Sequence, residues 1–347
     1  MDQTGKINTA VSVLLLCLAQ FAFASGSYSV YGDMAGEVLV SPRSSALSSA
    51  DLAVNPAGPL VSNPSLAAAA GALPALTLSY SSYYGDVFSA SMLNYTGAVS
   101  NTSGISVTAA YLLIPGIEDT RNVDTAAVDT DNIDVFTASD VWTRLSYGHR
   151  FETDIADLHL GAAITARRRR LETVGAYGLG ADLGAMAHFK KQSFYAALLW
   201  ENVRHSVVRW QSSDYNEKVP QHLRLSFAFE RENPYFYGKL ALYYTTPDLL
   251  FNEGINHQGQ GGGMREEDRV PETLTFSDGL SPLFSAARFG VEYTIMNTLA
   301  LRAGFNNHSY SMGAGLNLFN SRAGVDFSYV NHELAGTVKM SVVYRWL

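Results

Sequence analysis

The chain closes on Thr337-Val338-Lys339-Met340-Ser341-Val342-Val343-Tyr344-Arg345-Trp346, in which Val338, Met340, Val342, Tyr344 and Trp346 alternate with Lys339, Ser341, Val343 and Arg345. Side chains of an extended strand point to opposite faces with period two, so this stretch has one apolar and one largely polar face. The rule extends back to Ser285. Ala287, Phe289, Val291, Tyr293 and Ile295 oppose Arg288, Gly290, Glu292 and Thr294; Leu299, Leu301, Ala303 and Phe305 oppose Ala300, Arg302 and Gly304. Tyr310, Met312, Ala314, Leu316 and Leu318 oppose Ser311, Gly313, Gly315 and Asn317; Ala323, Val325, Phe327 and Tyr329 oppose Gly324, Asp326 and Ser328. Connections such as Met296-Asn297 and Asn306 to His308 are too short for a crossover helix, which makes neighbouring strands antiparallel hairpins.

The polar face is rich in Gly and Ser, with few charges of mixed sign, and the apolar face carries Phe, Tyr and Trp near the strand ends. A soluble β-sandwich also alternates. Dyad repeats of about ten residues with aromatics at both rims point instead to an all-β transmembrane antiparallel β-barrel.

Upstream, the same rule predicts strands near Leu76 to Tyr84, Val87 to Tyr95, Ile105 to Leu113, Val141 to Arg150, Leu158 to Arg167, Ala176 to Phe189, Ser193 to Glu201, Leu223 to Arg231 and Tyr235 to Thr245. With the final five this makes about fourteen. If the first strand runs outward, the long connections Pro115 to Asp140, Arg168 to Gly175, Asn202 to His222 and Thr246 to Phe284 all fall on one side. The short turns, among them Lys190 to Gln192 and Asn320-Ser321, all fall on the other, which is the loop parity of an outer-membrane barrel.

The 347 residues are 47% hydrophobic and 16% charged with a formal net charge of -8, which excludes a disordered tail and argues against nucleic-acid binding. Lys6 precedes the apolar run Ala10 to Phe23, and Ala22-Phe23-Ala24 is a small-x-small pattern; residues 1–24 are expected to be a signal peptide. Cys17, the only cysteine, lies in that run, so the mature chain is expected to have neither disulfide nor thiol site. No later stretch has the roughly 18 uncharged apolar residues of a membrane helix. A bacterial outer-membrane location follows. Residues 25–75, with turn chemistry at Asn55-Pro56-Ala57-Gly58-Pro59 and Ser62-Asn63-Pro64-Ser65, are expected to form a compact plug, and 76–347 the barrel.

Arg43-Ser44-Ser45-Ala46-Leu47 leading to Asn63-Pro64-Ser65-Leu66-Ala67 resembles the N-terminal signature of FadL-like proteins, in a form closer to the PorV/PorQ group. Gly180-x-Asp182-x-Gly184-Ala185, Pro220-x-x-Leu223-Arg224-Leu225, Leu301-Arg302-Ala303-Gly304-Phe305 and Ser341-Val342-x-Tyr344-Arg345 are similar to that group's recurring strand motifs. Two departures stand out: the Gly-Gly expected after the first Ala-rich turn is replaced by Ala46-Leu47-Ser48-Ser49-Ala50, and Asn55-Pro56 matches the plug motif as well as Asn63-Pro64 does. The resemblance implies a fourteen-strand barrel with a luminal plug. It implies a role in type IX secretion with a secreted cargo protein as partner or, alternatively, FadL-like uptake of a hydrophobic ligand.

Other residues are weighed for chemistry. Arg167-Arg168-Arg169-Arg170, read as the end of the fifth strand, is a candidate for lipopolysaccharide phosphates, Arg being suited to bidentate phosphate contacts; the alternative is a solvated strand end paired with acidic loops. Arg288, Glu292, Arg302, Asp326, Lys339 and Arg345 fall on the inner face, where cross-strand pairing or a hold on the plug is expected, with solute selectivity as the other possibility. Tyr344 and Trp346 are the expected signal to the barrel-assembly machinery. Asp129-x-Asp131-Asn132-x-Asp134 lacks the Gly and closing Glu of a calcium loop, and Gly259 to Gly263 lacks a phosphate-binding context. His308-Ser309 has no orienting acid placed by sequence. No catalytic residue, metal or cofactor is assigned. Trp210, Tyr215, Leu249, Leu250 and Phe251, in the long loops, are candidate protein contacts.

Overall fold

A computed structural model describes residues 27–28, 40–53, 62–72, 74–119, 121, 133–211, 216–233, 237–250, 287–306, 309–332 and 335–346. The signal segment, Asn55-Pro56, Asp129 to Asn132, Tyr215, Phe251, Gly259 to Gly263 and His308 lie outside the described residues.

The strands are β1 (Ser27–Tyr28), β2 (Ala75–Tyr83), β3 (Phe88–Ser100), β4 (Ser103–Glu118), β5 (Val135–Glu152), β6 (Ala156–Leu171), β7 (Val174–Phe189) and β8 (Phe194–Glu201). They continue with β9 (Ser206–Trp210), β10 (Asn216–Val219), β11 (His222–Asn233), β12 (Gly238–Thr245), β13 (Arg288–Ile295), β14 (Leu299–Asn306), β15 (Ser309–Leu318), β16 (Ala323–Val330) and β17 (Thr337–Arg345). β2–β8 and β11–β17 make a closed antiparallel barrel of 14 strands, shut by β17 pairing with β2 from Val338↔Ser82 to Arg345↔Ala75. The hairpin β9–β10 stands on the long-loop end: β9 pairs with the upper part of β7, and β10 pairs with β9 and, in parallel, with β1.

Burial is inverted relative to a soluble sheet. Along β17, Thr337, Lys339, Ser341, Val343 and Arg345 are buried while Val338, Met340, Val342 and Tyr344 are exposed. Leu78 is 60% exposed beside Thr77 at 1%. An outer face of this kind is stable only against lipid, and no helix among the described residues is long and apolar enough to cross a membrane. The protein is an outer-membrane β-barrel.

Two expectations are corrected. Arg168 to Gly175 is not a long loop: β6 and β7 stay paired from Ala156↔Phe189 up to Leu171↔Val174, leaving a turn of Glu172 and Thr173. Within Asn202 to His222, part of the chain folds into the β9–β10 hairpin. In both places charged and small residues conceal the alternation. The wall is therefore uneven, with β4–β7 running 16 to 18 residues and β12–β17 only 8 to 10. At about 3.3 Å per residue the taller side stands roughly 25 Å longer along the strands.

Residues 40–53 and 62–72 of the N-terminal stretch lie inside the barrel. Helix α1 (Pro42–Ala46) is N-capped by Ser41, whose Oγ accepts from the Ser44 N–H, with Pro42 at its first position. Pro64–Ala72 forms a 3-10 helix. Asn63 shapes its start: Oδ1 accepts from Ser65 N–H (3.1 Å) and Oγ (2.8 Å), and Nδ2 donates to the Leu52 carbonyl (3.0 Å). The seat of this helix is a row of glycines in register, Gly104↔Gly148, Gly148↔Gly161 and Gly161↔Gly184. A methyl added at Gly161 would overlap the Pro64 backbone, and one at Gly148 or Gly104 would overlap Ala68 or Ala67. Only glycine permits so close a backbone approach.

Candidate functional site: the luminal cavity

Above the N-terminal segment, towards the long-loop end, lies a cavity of about 390 Å³. Val40, Ser45, Ser48, Ser49 and Leu52 form its floor with Ser62, and the upper parts of the strands form its walls. One wall is aromatic. Tyr83 stacks on Phe88 (centroids 4.6 Å apart) within a buried cluster that includes Met92, Leu112 and Trp142. Cations lie over these rings, with the Lys339 Nζ 5.0 Å from the Tyr83 centroid and the Arg167 guanidinium 5.1 Å from Trp142.

The adjoining wall is ionic. Arg144 on β5 pairs with Asp182 on β7 across β6, and Asp182 also accepts the Asn202 N–H at 2.7 Å, securing the turn between β8 and β9. In that turn Asn202, Arg204 and His205 all have positive φ (50°, 61° and 70°). Arg224 pairs with Glu201 on the neighbouring strand. At the mouth, Nδ1 of His222 lies 3.0 Å from Asp248 Oδ2, and Asp248 Oδ1 accepts the N–H groups of Leu223 (2.8 Å) and Leu250 (3.1 Å). Burial opposes ionisation of Asp248, but His222 and the two backbone donors outweigh it and hold the carboxyl below its ordinary range.

The inner-face charges are distributed as follows. Glu292 is the hub: it accepts from Arg43 Nε (3.0 Å) and Nη2 (2.9 Å) and from Arg302 Nε (2.5 Å), while Arg302 Nη1 donates to Asp326 (2.6 Å). Arg345 donates to the Ser321 carbonyl (2.8 Å), and Arg288 and Lys339 line the cavity. The arginine run is split by the strand alternation. Arg167 and Arg169 face inward and pair with Asp140 (3.5 Å and 2.8 Å); Arg168 and Arg170 are exposed, Arg168 lying 6.0 Å from the Tyr177 ring. Tyr344 and Trp346 are exposed and meet edge to face at 5.4 Å. Trp210 packs beside Ala176, Val208 and Val219, whereas Leu250 is exposed.

Off the cavity, Asp119 is held down to about 2 by hydrogen bonds from Arg121, which also reaches Glu172; Ser309 donates its N–H and Oγ to Asn306. Among the described residues no group of three or more His, Cys, Asp or Glu is placed to hold a metal. Sequence reasoning missed Arg144, Asp182, Arg224, Glu201 and the His222–Asp248 pair. Strand parity already sets Arg144 and Asp182 on the inner face, but their partnership needs the register across two strands.

No protein-family model and no curated protein matches the sequence. Solved structures do. A crystal structure of the Pseudomonas putida toluene transporter TodX matches at TM-score 0.52 and 10% identity over 92% of this chain and 99% of that one. A second TodX crystal structure gives 0.50 and 10% over 82% and 92%. A Pseudomonas aeruginosa FadL homologue gives 0.43 and 12% over 93% and 98%. What the two TodX likenesses show is the fold, and the structural neighbours of this chain are FadL-like outer-membrane β-barrels.

Proposed function

We propose that the protein is a FadL-like channel admitting a hydrophobic small molecule across the outer membrane, with the N-terminal segment as its plug. The observation that carries this is the cavity of about 390 Å³ between that segment and the aromatic wall of Tyr83 and Trp142. Its size suits a small ligand, and a concave, partly apolar site with a few polar groups is the usual form of a small-molecule site. The transporter named in two of the matching structures carries toluene, which fits the same class of ligand. The ionic wall of Arg144, Asp182, Arg224 and Glu201 makes this cavity more polar than a plain hydrocarbon slot and suits a ligand bearing a polar group. Cells carrying or lacking the protein are compared for uptake of apolar probes with and without such a group. Equal rates for every probe end this reading.

The PorV/PorQ-type reading rests on the tall β4–β7 wall and the β9–β10 hairpin, which present a built surface on the long-loop end. Affinity purification from the native membrane decides between the two. Apolar small molecules held in the lumen support uptake; a secreted protein bound at the hairpin supports cargo handling.

A further inference from the structure

The N-terminal segment leans on the barrel wall in two places. Ala46 to Ser48 lie against Gly290, Gly304 and Gly313 of β13–β15, and Asn63 to Ala68 lie against Gly104, Gly148, Gly161 and Gly184 of β4–β7. Between these seats the wall consists of β8, β11 and β12 on one side and of β16, β17, β2 and β3 on the other. The first of these gaps is sealed by apolar packing, with Tyr195, Ala228 and Tyr243 in one buried cluster with Leu47, Ala50 and Leu66.

The second gap is lined by hydroxyls. Below Tyr83 and Lys339, which border the cavity, the inner face of β2 presents Ser81, Ser79 and Thr77, and β17 sets Ser341 directly opposite Ser79. Ser328 stands beside Lys339, and Asn94 beside Thr77. Among the described residues, the hydroxyls of Thr77, Ser79, Ser328, Thr337 and Ser341 have no hydrogen-bond partner, although these residues are at most 4% exposed. Oδ1 of Asn94 is likewise buried without a partner among them. Unpaired polar groups shut away from bulk solvent are costly, and a run of them marks a place where buried water completes the hydrogen bonding. The run descends from the cavity towards Arg345, which faces Ala75 at the short-turn end.

We propose that the β17–β2 seam is a water-filled side path past the N-terminal segment, passing water and small inorganic anions between the cavity and the short-turn end while both seats stay occupied. The inner faces of β17 and β2 carry the cations Lys339 and Arg345 and no carboxylate. Asp326, opposite Ser341 on β16, is engaged by Arg302 at 2.6 Å. A narrow polar path with a positive charge near each end favours anions over cations. The path requires no ligand in the cavity, so it stands apart from the uptake reading.

The test is the current carried by the purified full-length barrel in a planar bilayer bathed in KCl. A small steady current is expected, with a reversal potential in a salt gradient on the chloride side of zero. Ser79→Val with Ser341→Val should lower the current about tenfold, because the facing hydroxyls that would hold water are replaced by apolar groups. Ser79→Thr with Ser341→Thr has nearly the same bulk but keeps both hydroxyls, and most of the current should remain. Folding of each variant is checked by heat-shifted gel mobility. No current in the parent, equal currents in parent and Val pair, or a Thr pair as poor as the Val pair overturns the path; a cation-selective reversal potential overturns the anion preference. Uptake of apolar probes by the Val pair should match the parent, and an uptake that falls with the current would mean one shared route and no side path.

A single cysteine tests the seam without blocking it. Cys17 lies in the predicted signal segment, so Ser341→Cys or Ala197→Cys gives the processed chain one thiol, at positions that are both 3% exposed. A small water-soluble thiosulfonate is expected to label the folded Ser341→Cys barrel and to spare Ala197→Cys in the sealed gap. Protection of both positions, or equal labelling of both, overturns the proposal.

Discussion

Gly161 stands directly opposite Gly148 in the β5–β6 pair, and the backbone from Pro64 to Ala68 runs across both. The missing side chains are what let this segment enter the lumen.

Gly161→Val therefore places a branched side chain where the Pro64 carbonyl lies. The barrel is expected to form, since strand pairing through β6 does not need the glycine, but Pro64–Ala72 is expected to lose its seat. Proteolysis of the folded barrel measures this: cleavage near Asn63 should appear in the variant and be absent from the parent. A parent-like digestion pattern would show that the row is not the seat.

The Glu292 hub gives a second expectation. Glu292→Gln leaves the Arg43 and Arg302 guanidiniums, both largely buried, facing a neutral amide, with Asp51 and Asp326 as their remaining carboxylates. Breaking one side of a buried ionic network costs about 3 kcal/mol. Urea titration of the folded barrel in detergent should show a lower midpoint for Glu292→Gln, and Glu292→Asp should recover part of it. Identical midpoints for parent and Gln variant would mean that luminal water already screens the hub.

Acid should act at the cavity mouth. The Asp248 carboxyl is held below its ordinary value in the folded protein, so its contribution is complete above the unfolded value of about 3.9 and is lost as pH falls through the lower folded value. As pH falls through that lower folded value, the N–H groups of Leu223 and Leu250 should exchange a carboxylate acceptor for a weaker, neutral carboxyl. Their hydrogen exchange should then accelerate, normalised to the intrinsic rate, while the amides of β16–β17 stay slow. In Asp248→Asn the step with pH should disappear.

Arg168 and Arg170, the two outward members of the arginine run, bear on the lipid reading. If they contact lipopolysaccharide phosphates, replacing both by Ala should reduce the lipopolysaccharide that co-purifies with the barrel, whereas replacing the inward Arg169 should not. Equal retention in both variants counts against the contact.

The barrel was legible in the sequence because period-two alternation depends only on which residues meet lipid, and Val338 to Trp346 shows it with almost no exception. Register was less so. The β6–β7 turn at Glu172 and Thr173 escaped because Arg167 to Arg170 reads as a polar loop until Asp140 is found beside Arg167 and Arg169 on the inner face. The cavity was not legible at all. Arg144 and Asp182 are 38 residues apart and meet only because three strands align in register. The glycine row was visible as composition, but its role required knowing that Gly104, Gly148, Gly161 and Gly184 are neighbours in space.

The final prediction concerns assembly of the barrel. Tyr344 lies at the end of β17 with Trp346 following it, both rings outward, 5.4 Å apart and edge to face, at the short-turn end of the strand that closes the barrel on β2. Amphipathic rings at this position sit at the membrane interface and anchor the strand there. The pair also ends the alternating stretch that the barrel-assembly machinery is expected to read. Substituting Tyr344 and Trp346 together by Ser removes the anchor and leaves the inward residues Ser341, Val343 and Arg345 unchanged. Outer-membrane levels of folded protein are expected to fall severalfold, with unfolded chain accumulating in the periplasm. Tyr344→Phe with Trp346→Phe should restore most of the level, because the rings and their apolar area remain. If the double Ser variant reaches the outer membrane as well as the parent does, the closing strand is not the signal, and recognition must lie in other strands.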